Sequence, residues 1–368
     1  MTVDHLGTAP DFGLGWLDAS GPHSDIVLST RVRLARNLHG YPYVARARDE
    51  DREAILGAVS RAAETGEMPS GTVVMPVAEM DERTRRIFLE RRLISNDLAG
   101  RADSGPDKGA AVVAAPGEPV SIMVNEEDHL RLQSLVSGLR VMEAWSLADQ
   151  IDDALGNGLH LAYHHDFGYL TSCPTNTGTG LRASALVHLP GLVLTKEIEK
   201  VLKGIAQVGL TVRGLYGEGS DVVGNFFQIS NQTTLGKSEE DLVDHLGRIV
   251  STVIQTEIQA RQVLMRDAGS VTEDKIWRAY GILRYARLLS YKDLMQLLSG
   301  VRLGVSLRLL PGLEVVTLNG IMMFSQAAHL DRAAARELSG PERQAHRAAY
   351  VRKVLGARSE PPTSGAAG

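Results

Sequence analysis

The chain has 368 residues, of which 43% are hydrophobic and 23% charged, the balance of a water-soluble globular protein with two to three domains. A formal net charge of −5 supplies no broad basic field for nucleic acid, so any anion site has to be local. One cysteine rules out an intrachain disulfide and fits a reducing, cytoplasmic setting; neither a signal peptide nor an apolar run of ~20 residues that could span a membrane is expected.

Residues 1–22 are rich in glycine and proline and read as a lead-in. The run Ser29-Thr30-Arg31-Val32-Arg33-Leu34-Ala35-Arg36-Asn37 follows. If it is a strand, Arg31 and Arg33 share one face while Val32 and Leu34 are buried on the other. Two adjacent guanidinia repel unless they share an anion, and a polyphosphate supplies one; the alternative is a solvated charge run. Helical spacing is predicted over 51–64, with Ile55, Val59 and Ala62 on one face, and again over 79–92. Turn chemistry makes 100–109 a loop, and strands are predicted at 111–115 and 120–124.

The second of these strands runs into Asn125-Glu126-Glu127-Asp128-His129-Leu130-Arg131. Three carboxylates directly after a buried strand are costly unless exposed, paired or functional. One could act as a general base or hold a cationic substrate; the alternative is an acidic, helix-capping turn. A helix is predicted over 140–155. The adjacent His164-His165-Asp166 cannot easily turn both imidazoles onto one ion, and no further cluster completes a site, so no protein-bound metal is expected.

The sole thiol sits in Ser172-Cys173-Pro174-Thr175-Asn176-Thr177-Gly178-Thr179-Gly180-Leu181-Arg182. Its glycines would let the backbone approach a ligand, its amides and Arg182 would favour phosphate, and the thiol would gain thiolate character. Read alone, the segment could equally be a surface loop with a stray cysteine. Further along, a strand is predicted over 183–189, a helix capped by Thr195 and running to Val208, and strands over 208–215 and 226–230. Arg213-Gly214-Leu215-Tyr216-Gly217-Glu218-Gly219-Ser220-Asp221 reads as a flap that closes over a ligand, or as an ordinary mobile loop. Ser238-Glu239-Glu240-Asp241 opens a long helix to about Met265. From about 268 a leucine-dense helical region follows, with more aliphatic surface than one small unit needs, which points to self-association. The tail over 356–368 is predicted to be disordered. Strands mixed with helices without βαβ spacing predict an α+β fold with a largely antiparallel sheet flanked by helices, then an all-α domain. The expected divisions are 1–22, 23–256, 257–355 and 356–368.

Arginines for phosphate, carboxylates for a cation and a flap against water are the parts of phosphoryl transfer, without a Walker loop. Three of these motifs, Ser29–Asn37, Val124–Arg131 and Ser172–Ser184, occur in the order and form of the phosphagen (guanidino) kinases. Together with 213–218 and 228–237 the chain resembles the bacterial protein-arginine kinases of that family, over residues 23–256. The small-guanidine kinases carry a helical domain ahead of this core, where this chain has residues 1–22, and here a helical domain follows instead. The resemblance implies ATP-dependent phosphorylation of arginine in proteins that are thereby marked for Clp-type degradation under stress. It implies ATP with Mg²⁺ held through the nucleotide, protein substrates with accessible arginine, a homodimer, and Clp components and a stress-response repressor as partners. Neither nucleic acid nor membrane is an expected partner. Kinase action on a small free guanidino compound and a non-catalytic adaptor are the competing readings.

By the same resemblance, Glu127 holds the acceptor guanidinium and takes its proton, Cys173 polarises it, and Glu218 is a second acceptor-side carboxylate. Arg31, Arg33, Arg131 and Arg182 clamp phosphate. The nucleotide-contacting stretches are Ser29, Thr30, Arg31, Val32 and Arg33; Arg182, Ala183, Ser184, Ala185 and Leu186; and Arg213, Gly214, Leu215, Tyr216, Gly217 and Glu218. Arg92 stands where the family usually has histidine, and Asp221 where the phosphagen kinases have glutamate. Arg343, Gln344, Arg347 and Ala348 match a phosphoarginine-binding motif whose acidic residue is here Gln344, which removes a charge that would pair with a guanidinium.

Overall fold

The computed structural model describes residues 12–100, 105–117, 119–214 and 223–356. Alternation in strand β1 (Val27–Arg36) organises the fold. Val32 and Leu34 are fully buried on one face, while Arg31 and Arg33 point to the other. The remaining elements are helix α1 (Asp49–Thr65), β2 (Val73–Pro76), α2 (Glu82–Glu90), α3 (Asn96–Ala99), β3 (Ala111–Ala114), β4 (Val120–Val124), β5 (Leu130–Ser137), α4 (Val141–Gly156), β6 (Tyr163–His164), β7 (Gly168–Tyr169), β8 (Leu181–His188), α5 (Pro190–Leu194), α6 (Ile198–Gln207), β9 (Leu210–Gly214), β10 (Phe226–Asn231), α7 (Glu239–Tyr285), α8 (Tyr291–Ser306), α9 (Val315–Phe324), α10 (Ala327–Ala333) and α11 (Gly340–Gly356).

Eight strands form one antiparallel sheet in the order β2-β3-β4-β5-β1-β8-β10-β9, and β6 and β7 form a separate hairpin. One face of the sheet is apolar: Val32, Leu34, Leu132, Ala183, Ala185 and Ile229 pack under α4 and the first half of α7. Each fully buried aliphatic there contributes roughly 1.5–3 kcal/mol. The opposite face is divided. A register shift between Val27 and Ser29 sends Leu28 to that face, where Leu28, Leu135 and Leu186 join Phe226, Trp16 and the C-terminal helices in a second core. The arginines occupy the remainder of that face.

Several elements differ from the sequence reading. Residues 12–22 are not a loose lead-in: Trp16 and Leu17 are buried between the sheet and the helical region. Strands β2 and β5 have no counterpart in it. Thr195 closes α5 instead of capping the next helix, and its hydroxyl bonds back to Gly191 O at 2.9 Å. Helix α7 starts at the predicted capping box, Ser238 with Asp241, and its first segment ends close to the expected Met265, at the non-helical residue Ala268; a second helical segment continues beyond that kink to Tyr285. The expected division at 256/257 therefore falls inside a helix. Around it, Arg261 bonds Glu257 at 2.6 Å and Asp25 at 3.2 Å, and Glu257 accepts the Gly191 and Leu192 amides at 2.9 Å. Arg302 of α8 bonds Asn319 Oδ1 at 2.7 Å and Ser24 O at 2.5 Å. These buried bonds tie the helical region to the sheet.

Candidate active site

Register builds the floor of the site. Arg33 lies opposite Gln133 on β5 and Arg182 on β8, and Arg31 opposite Leu135 and Ser184; Arg131 pairs with Ala35. Side chains opposed in an antiparallel sheet share a face. Arg31, Arg33, Arg131 and Arg182 therefore converge, and Arg92 from the end of α2 and Arg213 from β9 join them around a cavity of about 770 Å³. Glu126, Glu127 and Cys173 line the same cavity, so three motifs far apart in sequence meet there. The third arginine of the first run is used differently. Arg36 is buried, bonded to Asp152 at 2.8 Å, Glu239 at 3.2 Å and Thr179 O at 2.8 Å.

The floor is electrostatically unfavourable by itself. Burial, then Arg92, Arg131 and Arg182, pull the Arg31 guanidinium down to about 9. Burial and the neighbouring Arg31, Arg131 and Arg182 hold Arg33 well below the ordinary guanidinium range, with Glu126 opposing. Arg31 Nε and Arg33 Nε are buried without a hydrogen-bond partner. Buried charged donors left open cost free energy unless an anion meets them, and a polyphosphate matches that donor set in charge.

The β4–β5 turn gives its three carboxylates three different fates. Glu126 is paired with Arg131 at 2.7 and 2.6 Å. Burial opposes its charge, but Arg131, Ser95 and the Glu127 amide together hold its carboxyl below the usual range. Asp128 is buried and accepts from Asn37 Nδ2 and from the Ser172 amide, both at 2.6 Å. Glu127 stays at the cavity wall. Partial burial raises its pKa, with Asp128, Glu126 and Asp97 adding to the rise and Arg131 opposing it.

The thiol segment is held by protein contacts. The Ser172 amide is anchored on Asp128, so the acidic turn and the thiol loop share one hub. Cys173 Sγ lies 3.0 Å from Thr175 Oγ1, and Thr234 Oγ1 donates to the carbonyls of Thr175 at 2.9 Å and Thr177 at 2.7 Å. Here the sequence reading is corrected. The amides of Asn176, Thr177, Gly178 and Thr179 bond to protein carbonyls, so they form no open phosphate nest. The glycines serve close packing within the chain: a Cβ on Gly178 (φ +117) would lie 2.4 Å from Thr234 O, and one on Gly180 (φ +64) 2.6 Å from Ala35 O.

The other expected residues are distributed as follows. Val32, Ala183 and Ala185 sit in the core under the sheet, and Leu186 in the second core. Thr30 Oγ1 donates to Gly138 O at 2.6 Å, Ser184 Oγ to Arg31 O at 3.4 Å, and Ser29 and Gly214 are buried; none of these lines the cavity. The strand alternation that exposes Arg31 and Arg33 necessarily buries Thr30 and Val32. Leu215, Tyr216, Gly217, Glu218 and Asp221 lie outside the described residues. Arg343 and Arg347 are on α11. Arg343 pairs with Asp331 at 2.9 Å, Arg347 donates to Ser325 O at 2.8 Å and Leu289 O at 2.9 Å, Gln344 O accepts from the Leu289 amide at 3.2 Å, and Ala348 is core. Contrary to the sequence reading, the adjacent His164 and His165 do converge: their rings stack at 4.6 Å and, with Asp166, their ligand atoms lie within 4.8 Å of one another, the Asp166 amide bonding His164 Nδ1 at 3.2 Å and its carboxylate lying 3.1 Å from His165 Nε2.

The cavity also contains residues that the sequence reading missed: Glu90, Asp97, Gln133, Gln228 and Gln326. Gln133 and Gln228 follow from strand alternation once β5 and β10 are in register with their neighbours. Gln326 comes from the C-terminal helical region and carries no local signal.

Residues 55–260 match the family model of the ATP:guanido phosphotransferase C-terminal catalytic domain, and residues 270–365 that of the protein-arginine kinase McsB C-terminal domain. Proteins called protein-arginine kinase in Moorella thermoacetica and Symbiobacterium thermophilum are each 46% identical, covering 92% and 93% of this chain and 97% and 96% of theirs. Among solved structures, a lombricine kinase superposes with a TM-score of 0.57 at 25% identity, over 70% of this chain and 72% of its own. The substrate-free duplicated taurocyamine kinase of Schistosoma mansoni gives 0.55 at 25%, over 69% of this chain and 34% of its own.

Proposed function

Since the chain belongs to the ATP:guanido phosphotransferase family, in its protein-arginine kinase branch, we propose that it transfers the γ-phosphoryl group of ATP to arginine side chains of proteins. The observation that carries this reading is the single cavity in which guanidinia with open buried donors face a carboxylate of raised pKa and a thiol.

Arg31, Arg33, Arg131 and Arg182 hold the polyphosphate and meet the charge that spreads over the transferring group. Arg92 and Arg213 extend that clamp. Mg²⁺ is held through the nucleotide and offsets phosphate charge when bound. The acceptor is a poor nucleophile, because a guanidinium keeps its proton to pH ~12. Glu127 orients it and takes one proton from the attacking Nη, an N–P bond forms, the P–O bond to ADP breaks, and the product is phosphoarginine. A raised pKa makes Glu127 the better base. Cys173 Sγ, next to the Thr175 hydroxyl, contacts the same guanidinium, and Glu218 is the second acceptor-side carboxylate. The sheet and the first segment of α7 form the catalytic unit, and the helical region beyond Ala268 carries the homodimer contact and the Arg343/Arg347 phosphoarginine site. Clp-type degradation of the modified proteins and control of a stress-response repressor, in the cytoplasm, complete the proposal. No helix of the described residues is long and apolar enough to cross a membrane.

The test is incubation with a loosely folded, casein-like protein, ATP and Mg²⁺. The expected product is acid-labile phosphate on arginine, located by mass spectrometry. ATP consumption with free arginine and none with protein would replace the reading by that of a small-guanidine kinase.

A further inference from the structure

Arg92 reaches the cavity from an unusual backbone position. It follows α2 at φ +64, the left-handed conformation with which helices commonly end on glycine. The Arg92 amide bonds Leu89 O at 3.0 Å and the Leu93 amide bonds Phe88 O at 2.9 Å, closing the helix in that manner. A residue with a side chain keeps this conformation only where its surroundings over-determine it.

One support comes from the sheet, where Gln133 Nε2 donates to Arg92 O at 2.7 Å. Another comes from the C-terminal helical region, more than two hundred residues away in sequence. Glu90 Oε1 accepts the Ala328 amide at 2.8 Å, and Glu90 Oε2 accepts the His329 amide at 3.2 Å. His329 Nδ1 lies 2.6 Å from the same Oε2, and Arg91 Nε donates to His329 Nε2 at 3.3 Å. Since Nε2 accepts, the ring proton is on Nδ1 and is donated to Glu90. His329 is buried, edge-on to Phe324. Both residues that precede Arg92 are therefore fastened to α10, and Gln326, just ahead of α10, lines the cavity.

We infer that Glu90 and His329 are positioning residues for phosphoryl transfer: they clamp the end of α2 to helix α10 and so fix where Arg92 presents its guanidinium to the nucleotide. The inference rests on the kinase reading for its purpose. Its test is read on ADP affinity, and so is independent of whether a protein arginine is the acceptor.

The experiment is a double-mutant cycle in the full-length chain, with the Kd for Mg·ADP from calorimetry and the KM for ATP beside kcat. His329→Gln moves the amide away from Glu90 and should weaken ADP binding about tenfold, raising KM more than it lowers kcat. His329→Asn keeps a donor near the Nδ1 position and should stay within about twofold of wild type. Arg92→Ala should weaken ADP binding at least as much as His329→Gln, and adding His329→Gln to it should cost nothing more. Additive losses, equal losses for His329→Gln and His329→Asn, or unchanged ADP binding in Arg92→Ala would overturn the clamp. If thermal melting shows His329→Gln unfolded, Glu90→Gln, which retains an acceptor for the Ala328 amide, carries the same cycle with the same outcomes.

Discussion

The arginine floor and the acidic–thiol rim of the cavity are built on opposite principles. On the floor, Arg31 and Arg33 are half-buried beside other cations, with their buried Nε donors open. On the rim nearly every polar group has a protein partner: Glu126 has Arg131, Asp128 has Asn37 and the Ser172 amide, and the loop amides have carbonyls. The floor thus carries an electrostatic cost that an anion relieves, while the polar groups of the rim are satisfied within the protein before any ligand arrives. The contrast separates binding from chemistry. On the proposed function, the floor is the part that gains most when polyphosphate enters, and Glu127 is the rim carboxylate proposed as base.

Three substitutions would break or sharpen this contrast. The largest effect is expected at Glu127. Glu127→Gln should lower kcat about 10²–10⁴-fold while Mg·ADP affinity stays near wild type, measured by initial rates and calorimetry. In the wild type the rate should fall as pH drops through the raised pKa of Glu127, because a protonated carboxyl cannot accept the proton. A pH profile with no acidic limb would count against Glu127 as base. Next is the floor. Arg33→Met should weaken Mg·ADP binding about 10–100-fold, as loss of a charge-assisted contact implies, and yet raise the melting temperature without nucleotide. A lower melting temperature would show that the floor is not strained. The smallest effect is expected from Asp128→Ala, which removes the hub of the rim. It should cost about 1–3 kcal/mol of stability in denaturant unfolding, leave ADP affinity unchanged, and reduce kcat less than Glu127→Gln.

Much of the site was legible in the chain. Alternation exposed Arg31 and Arg33 together, and the acidic turn and the thiol segment stood out by composition. Which carboxylate stays available was not legible, because Glu126 and Asp128 are consumed by Arg131, Asn37 and Ser172, and those partners are set by tertiary packing. The glycines of the thiol loop were legible as necessary but not for the right reason: they admit the chain's own backbone at Thr234 and Ala35. Strand β5 was missed because its first residues were taken with the acidic turn. The change in composition near residue 268 coincides with the kink at Ala268, where the first segment of α7 ends and a second begins.

By itself the sequence determined the amphipathic strand β1, the Ser238 capping box and the residue types able to hold phosphate and a guanidinium, since those follow from local periodicity and chemistry. Only the tertiary structure decided which of those residues meet, which are already satisfied, and that the C-terminal helices supply Gln326 and His329 to the catalytic cavity and its wall. Contacts between residues 239 positions apart leave no local pattern; they exist only once the sheet has set its register and the second core has docked.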